Sequence, residues 1–138
     1  GYGYAEVSKE LKKNWQALIQ GFFDNQNNNF LLLCVQDARF PDSPVDQTFI
    51  NYLGDLPEQG FLILNKIDKL TQKDLSILIS QLNNKQFLNR GWMKEAHLLS
   101  TSKRNGINQL KKAIRSSMIK SLRGLRGEVG VGDGVGGQ

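Results

Sequence analysis

Four residues, Asn65-Lys66-Ile67-Asp68, follow directly on the apolar run Gly60-Phe61-Leu62-Ile63-Leu64. At the end of a buried strand such an N-K-x-D segment can read a guanine base. A carboxylate like that of Asp68 accepts two hydrogen bonds side by side, and guanine offers two neighbouring donors, its ring N–H and its exocyclic amine. Adenine offers an acceptor at the ring position and would leave a buried charge unpaired. Sites built around such groups discriminate by roughly 10⁴-fold or more. This reading selects GTP over ATP. On its own the tetrapeptide is weak, because Asn and Asp also favour ordinary turns. It gains from a second motif, Ser100-Thr101-Ser102-Lys103, with Gly106 a few residues on.

Both motifs need elements to carry them. Ser8 can cap a helix in which Leu11, Trp15, Leu18, Ile19, Phe22 and Phe23 form one apolar stripe. Phe30–Val35 is a continuous apolar run, the pattern of a strand buried on both faces of a parallel sheet. It leads to Gln36-Asp37 and a loop over 38–44. Val45, Phe49, Tyr52 and Leu53 form a second helical stripe that stops near Gly54, and 60–64 reads as another buried strand. Thr71-Gln72-Lys73-Asp74 has the form of a capping box ahead of Leu75, Leu78, Ile79 and Leu82. His97-Leu98-Leu99 makes a short third strand, and Gly106 opens a last helix with Ile107, Leu110, Ile114 and Met118 on its stripe. Alternating strands and helices imply an α/β fold with a parallel sheet flanked by helices. Ligands of such sheets sit at the C-terminal strand ends, where Asp37, Asn65 and Ser100 all fall.

At 138 residues and 39% hydrophobic content the chain can hold one core. The single cysteine, Cys34, lies within an apolar run, which excludes a disulfide framework and suits a reducing, cytoplasmic compartment. No run is long enough to span a bilayer as a helix, and no basic-then-apolar leader opens the sequence. The first residue is not methionine, so a processed chain or a piece of a longer one is expected.

The net charge of +5 is uneven. No acidic residue occurs from Ala96 to Gly127, while Lys103, Arg104, Lys111, Lys112, Arg115, Lys120, Arg123 and Arg126 all fall there. A one-signed face favours an anionic partner such as RNA, although basic residues also suit the end of a helix. Half of the 14 glycines lie from Gly124 onward, and 120–138 reads as a basic, then glycine-rich flexible tail after a domain over 1–119. Gly132-Asp133-Gly134-Val135-Gly136-Gly137 matches G-x-G-x-x-G without a strand before it or room for a helix after it, so it is not read as a dinucleotide site. Asp37-Ala38-Arg39 reads as a turn with an ion pair, His97 as a strand residue, Cys34 and Trp15 as core, and Trp92 as a surface anchor.

Taken together, Gly1-Tyr2-Gly3-Tyr4-Ala5, Val7-Ser8-Lys9, Asp37-Ala38-Arg39, Asn65–Asp68 and Ser100-Thr101 resemble the EngB/YihA/YsxC family of bacterial P-loop GTPases from Gly1 to about Met118. The resemblance implies that Asn65 and Asp68 hold the guanine edge, with the stem of Lys66 over the ring and Ile67 between them. Backbone amides of Leu99, Ser100 and Thr101 would face the guanine carbonyl. Gly1 would end the D-x-x-G switch, and Tyr2, Gly3, Tyr4 and Ala5 would form the switch loop. A tyrosine in place of a water-orienting glutamine implies slow intrinsic hydrolysis. The family also implies Mg²⁺, a monomer, and a GTP-switched role in large ribosomal subunit assembly, with rRNA contacted through the basic last helix, and in normal division and septation.

The sequence departs from the family where phosphates are handled. It contains no G-x-x-x-x-G-K-[ST] and no P-loop Ser or Thr for Mg²⁺. The expectation is therefore an incomplete G domain lacking its N-terminal P-loop half and inactive or poorly folded alone. The strand over 30–35 would then have an unpaired edge and a bare apolar face. The alternative is a non-catalytic RNA-binding remnant of a G domain.

Overall fold

The computed structural model describes residues 8–24 and 30–129. Gly1 to Ala5, the expected switch loop, lie outside the described residues, as do residues 130–138. Eight elements follow in order among the described residues. They are α1 (Lys9–Asp24), β1 (Leu32–Asp37), α2 (Pro44–Leu53), β2 (Gly60–Asn65), a 3₁₀ turn (Ile67–Lys69), α3 (Gln72–Asn83), β3 (Met93–Leu98) and α4 (Ile107–Val129). The strands form one parallel sheet in the order β1-β2-β3.

Local chemistry starts the helices where the sequence places caps. The Leu11 amide donates to Ser8 Oγ at 3.1 Å, the Asp46 amide to Ser43 Oγ at 3.3 Å, and the Asp74 amide to Thr71 Oγ1 at 3.1 Å. Each hydroxyl satisfies an N–H that has no partner inside its own helix.

The central strand explains the long apolar run. Phe61, Leu62, Ile63 and Leu64 are buried almost completely because both faces of β2 are covered. Leu62 and Leu64 face a core with Ile19 of α1, Ile50 and Leu53 of α2, and Leu78 of α3. Phe61 and Ile63 face the other way, against Leu99 and the Ile107, Leu110 and Ile114 stripe of α4. Burying each such side chain is worth about 1.5–3 kcal/mol.

Several expectations shift. The first strand spans Leu32–Asp37, two residues later than the apolar run suggests. Its polar end is held by register, since Asp37 pairs with Asn65, and by Gln36 Oε1, which accepts the Asp42 amide at 2.8 Å. The third strand begins at Met93, earlier than His97, because an edge strand can carry exposed Lys94 and Glu95. Trp92 is core rather than a surface anchor, with its indole N–H donating to the Gly54 carbonyl at 2.8 Å. Met118 and Leu18 leave the buried stripes, at 57% and 74% exposure. The last helix continues to Val129, through the boundary expected at 119 and past Gly124.

β1 lies at one edge of the described sheet. On its α4-facing side Leu33 and Val35 are 36% and 61% exposed, the bare apolar surface expected for this strand.

Candidate functional site

The parallel register aligns the strand ends, so three loops meet at one rim. Asp37 ends β1, Asn65 ends β2, and Leu99-Ser100 follow β3. Backbone bonds tie them together. The Ala38 amide donates to the Asn65 carbonyl at 2.7 Å, the Leu99 amide to Leu64 at 2.8 Å, and the Ile67 amide to Leu99 at 3.2 Å.

Asn65 works as a staple. Its Oδ1 accepts the Lys66 amide at 2.8 Å and the Thr101 amide at 3.2 Å, and its Nδ2 reaches Thr101 Oγ1 at 3.4 Å. Asn is suited to this because its side chain both donates and accepts. The next residue, Lys66, is left-handed, with φ 71° and ψ 33°, an uncommon and strained conformation for a residue with a Cβ. That turn carries the chain into the 3₁₀ turn bearing Asp68.

Asp68 is oriented from the β3 side. Ser100 Oγ, fully buried, donates to Oδ1 at 2.7 Å, and Ser102 Oγ donates to Oδ2 at 3.3 Å. Ser100 Oγ in turn accepts the Lys103 amide at 3.2 Å, which curls the loop around it. The Ser100 hydroxyl above all holds Asp68 below the ordinary carboxylate range, so it is ionised at neutral pH. The residue's own amide also donates to this carboxylate, so of its roughly four lone-pair positions at least one stays open to a ligand donor.

The three amides expected to face a guanine carbonyl all donate within the protein. The Leu99 amide is used by Leu64 and the Ser100 amide by the Asn105 carbonyl, at 3.0 Å. Leu99 and Ser100 are buried, whereas Thr101 is exposed and its amide donates to Asn65 Oδ1 at the rim. Ile67 is half-buried against the core.

Sequence reasoning missed the density of charge around Asp37. Arg39 donates to it three times, from its amide at 2.9 Å, from Nε at 3.0 Å and from Nη2 at 2.7 Å. Lys66 Nζ lies 3.5 Å from the same carboxylate. The chain spacing of Asp37 and Arg39 signals their pairing, but the contact with Lys66 depends on the β1–β2 register. Among the described residues no group of three or more His, Cys, Asp and Glu could hold a metal ion. The two rim carboxylates, committed to cations and hydroxyls, do not form a donor set for Mg²⁺. No helix among the described residues is long and apolar enough to cross a membrane.

No family model matches the chain. Its fold is similar to that of a nucleolar GTP-binding protein 1 from Plasmodium falciparum, at 14% identity and a TM-score of 0.50, over 87% of this chain and 59% of that one. The described architecture is thus an α/β fold with a three-stranded parallel sheet flanked by helices. In sequence the chain is 29% identical over 128 residues to a "Probable GTP-binding protein EngB" of Paraburkholderia phytofirmans, covering 90% of this chain and 59% of the relative. Identically named proteins of Christiangramia forsetii and Buchnera aphidicola are 30% and 34% identical, over 79% and 80% of this chain and 54% and 48% of theirs. Over the part it shares with them the chain is similar to these EngB proteins, and it spans about half the length of these curated relatives.

Proposed function

We propose that this rim binds the guanine base of GTP and GDP, within a GTP-switched factor that acts in assembly of the large ribosomal subunit and supports normal division and septation. The observation that carries the base-binding reading is the convergence on Asp68. Its carboxylate is ionised, fixed by hydroxyls from a different strand's loop, and retains acceptor capacity for a ligand donor. The names of the relatives support guanine nucleotide as the ligand. The exposed Lys111, Lys112, Arg115, Lys120 and Arg123 of α4 suit an rRNA partner, which would bind with marked salt dependence. Phosphate contacts, Mg²⁺ and hydrolysis would belong to a P-loop and switch, and the chemistry Mg²⁺ supplies there is neutralisation of charge on the phosphates.

Asp68→Asn tests the reading. An asparagine amide accepts one hydrogen bond and donates another, matching xanthine, which carries a carbonyl where guanine carries its amine. Preference should move from guanosine toward xanthosine nucleotides in competition binding by the full-length protein. Unchanged GTP affinity would remove Asp68 from the site.

A further inference from the structure

We infer that Asp37 is a positioning residue for base binding, acting through Lys66. The inference rests on the base-binding reading above and extends it to a residue of another strand.

Lys66 has the longest free side chain next to the guanine-reading pair, on a backbone whose left-handed turn is set by Asn65. Its side chain is 54% exposed, so packing alone does not choose its direction. A four-carbon stem with a hydrated ammonium samples many rotamers. The one anionic group within reach of its Nζ is Asp37 Oδ2, at 3.5 Å, among the described ion pairs.

Asp37 itself cannot swing away to follow Lys66. Arg39 grips it with three donors, two on Oδ1 and one on Oδ2. Arg39 is steadied in turn, with its guanidinium 5.5 Å from the Phe40 ring centroid. The carboxylate is therefore a fixed post at the end of β1. Tethered to it, the Lys66 stem runs along the rim from β2 toward β1, as a flat apolar shelf beside Asn65 and Asp68. An exposed pair of this kind adds little stability. Its effect is to reduce the ordering that Lys66 must undergo when a base settles on its stem.

The test is a double-mutant cycle on the full chain, with GDP as probe and the backbone amide shifts of residues 65–68 as readout. Asp37→Asn should raise the Kd about three- to tenfold, the cost of ordering one long side chain. In a Lys66→Met background, where the stem remains and the charge is gone, the same change should alter Kd less than twofold. Lys66→Met alone should match the loss seen with Asp37→Asn, and decides the matter if the Asp37 variant does not fold. An equal effect of Asp37→Asn with and without Lys66, or wild-type affinity in Lys66→Met, would overturn the inference. If wild-type protein shows no shift at residues 65–68 with millimolar GDP, the base-binding reading fails first.

Discussion

Asp37 is the most perturbed acid of the rim. The Arg39 side chain above all, then its amide and charge and the charge of Lys66, pull its pKa from 3.8 to about 2 despite partial burial. A carboxyl whose folded pKa is depressed stabilises the fold above its unfolded pKa, and that contribution is lost as pH falls through the folded value. Wild type should therefore exceed Asp37→Asn in stability above about pH 4, by about 1 kcal/mol once solvent screening is allowed for. The difference should vanish toward pH 2. Denaturant titrations of both proteins across that range check it. Asp42 and Asp46 act in the opposite sense, since burial raises both, and the wild type–variant difference removes their common contribution. Cys34 shows the same physics in a thiol, where burial, with the charge of Asp46, pushes its pKa up to about 11.

Among the elements, the β3–α4 connection decides whether Ser100 reaches Asp68. The loop closes through a two-residue bridge between Ser100 and Asn105 and then turns at Gly106, with φ 80°. A Cβ there would lie 2.3 Å from the Leu98 carbonyl oxygen. Gly106→Ala should cost more than about 1 kcal/mol, from both the positive φ and the backbone clash. It should also weaken guanine-nucleotide binding, because the Ser100 loop shifts with it. Thermal melts and GDP titration measure the two effects, and a melt within 1 °C of wild type would show that the turn is not needed.

For the molecule as a whole, the β1 edge, free among the described residues, is the weak point. Leu33 and Val35 present apolar surface beside strand backbone that no described strand pairs, the arrangement that invites strand addition from another chain. Val35→Lys places a charge on a side chain that is already 61% exposed. Stability should change by less than about 0.5 kcal/mol, and light scattering on heating should fall. A large loss of stability would mean that Val35 is covered in the folded protein.

Much of this was legible in the residue order. Cap residues Ser8 and Thr71, the two-sided burial of 60–64 and the Asn65–Asp68 turn follow from local rules of period, polarity and turn chemistry, which act between near neighbours in the chain. Strand ends, the burial of Trp92 and the exposure of Met118 were not legible, because they depend on what another element places opposite. The same divide runs through the site. Residue types alone made Asn65 and Asp68 candidates for reading a purine. Only the parallel register, by bringing the ends of three distant strands within hydrogen-bonding reach, supplied Asp68 with Ser100, spent the Leu99 amide inside the sheet and set Lys66 beside Asp37.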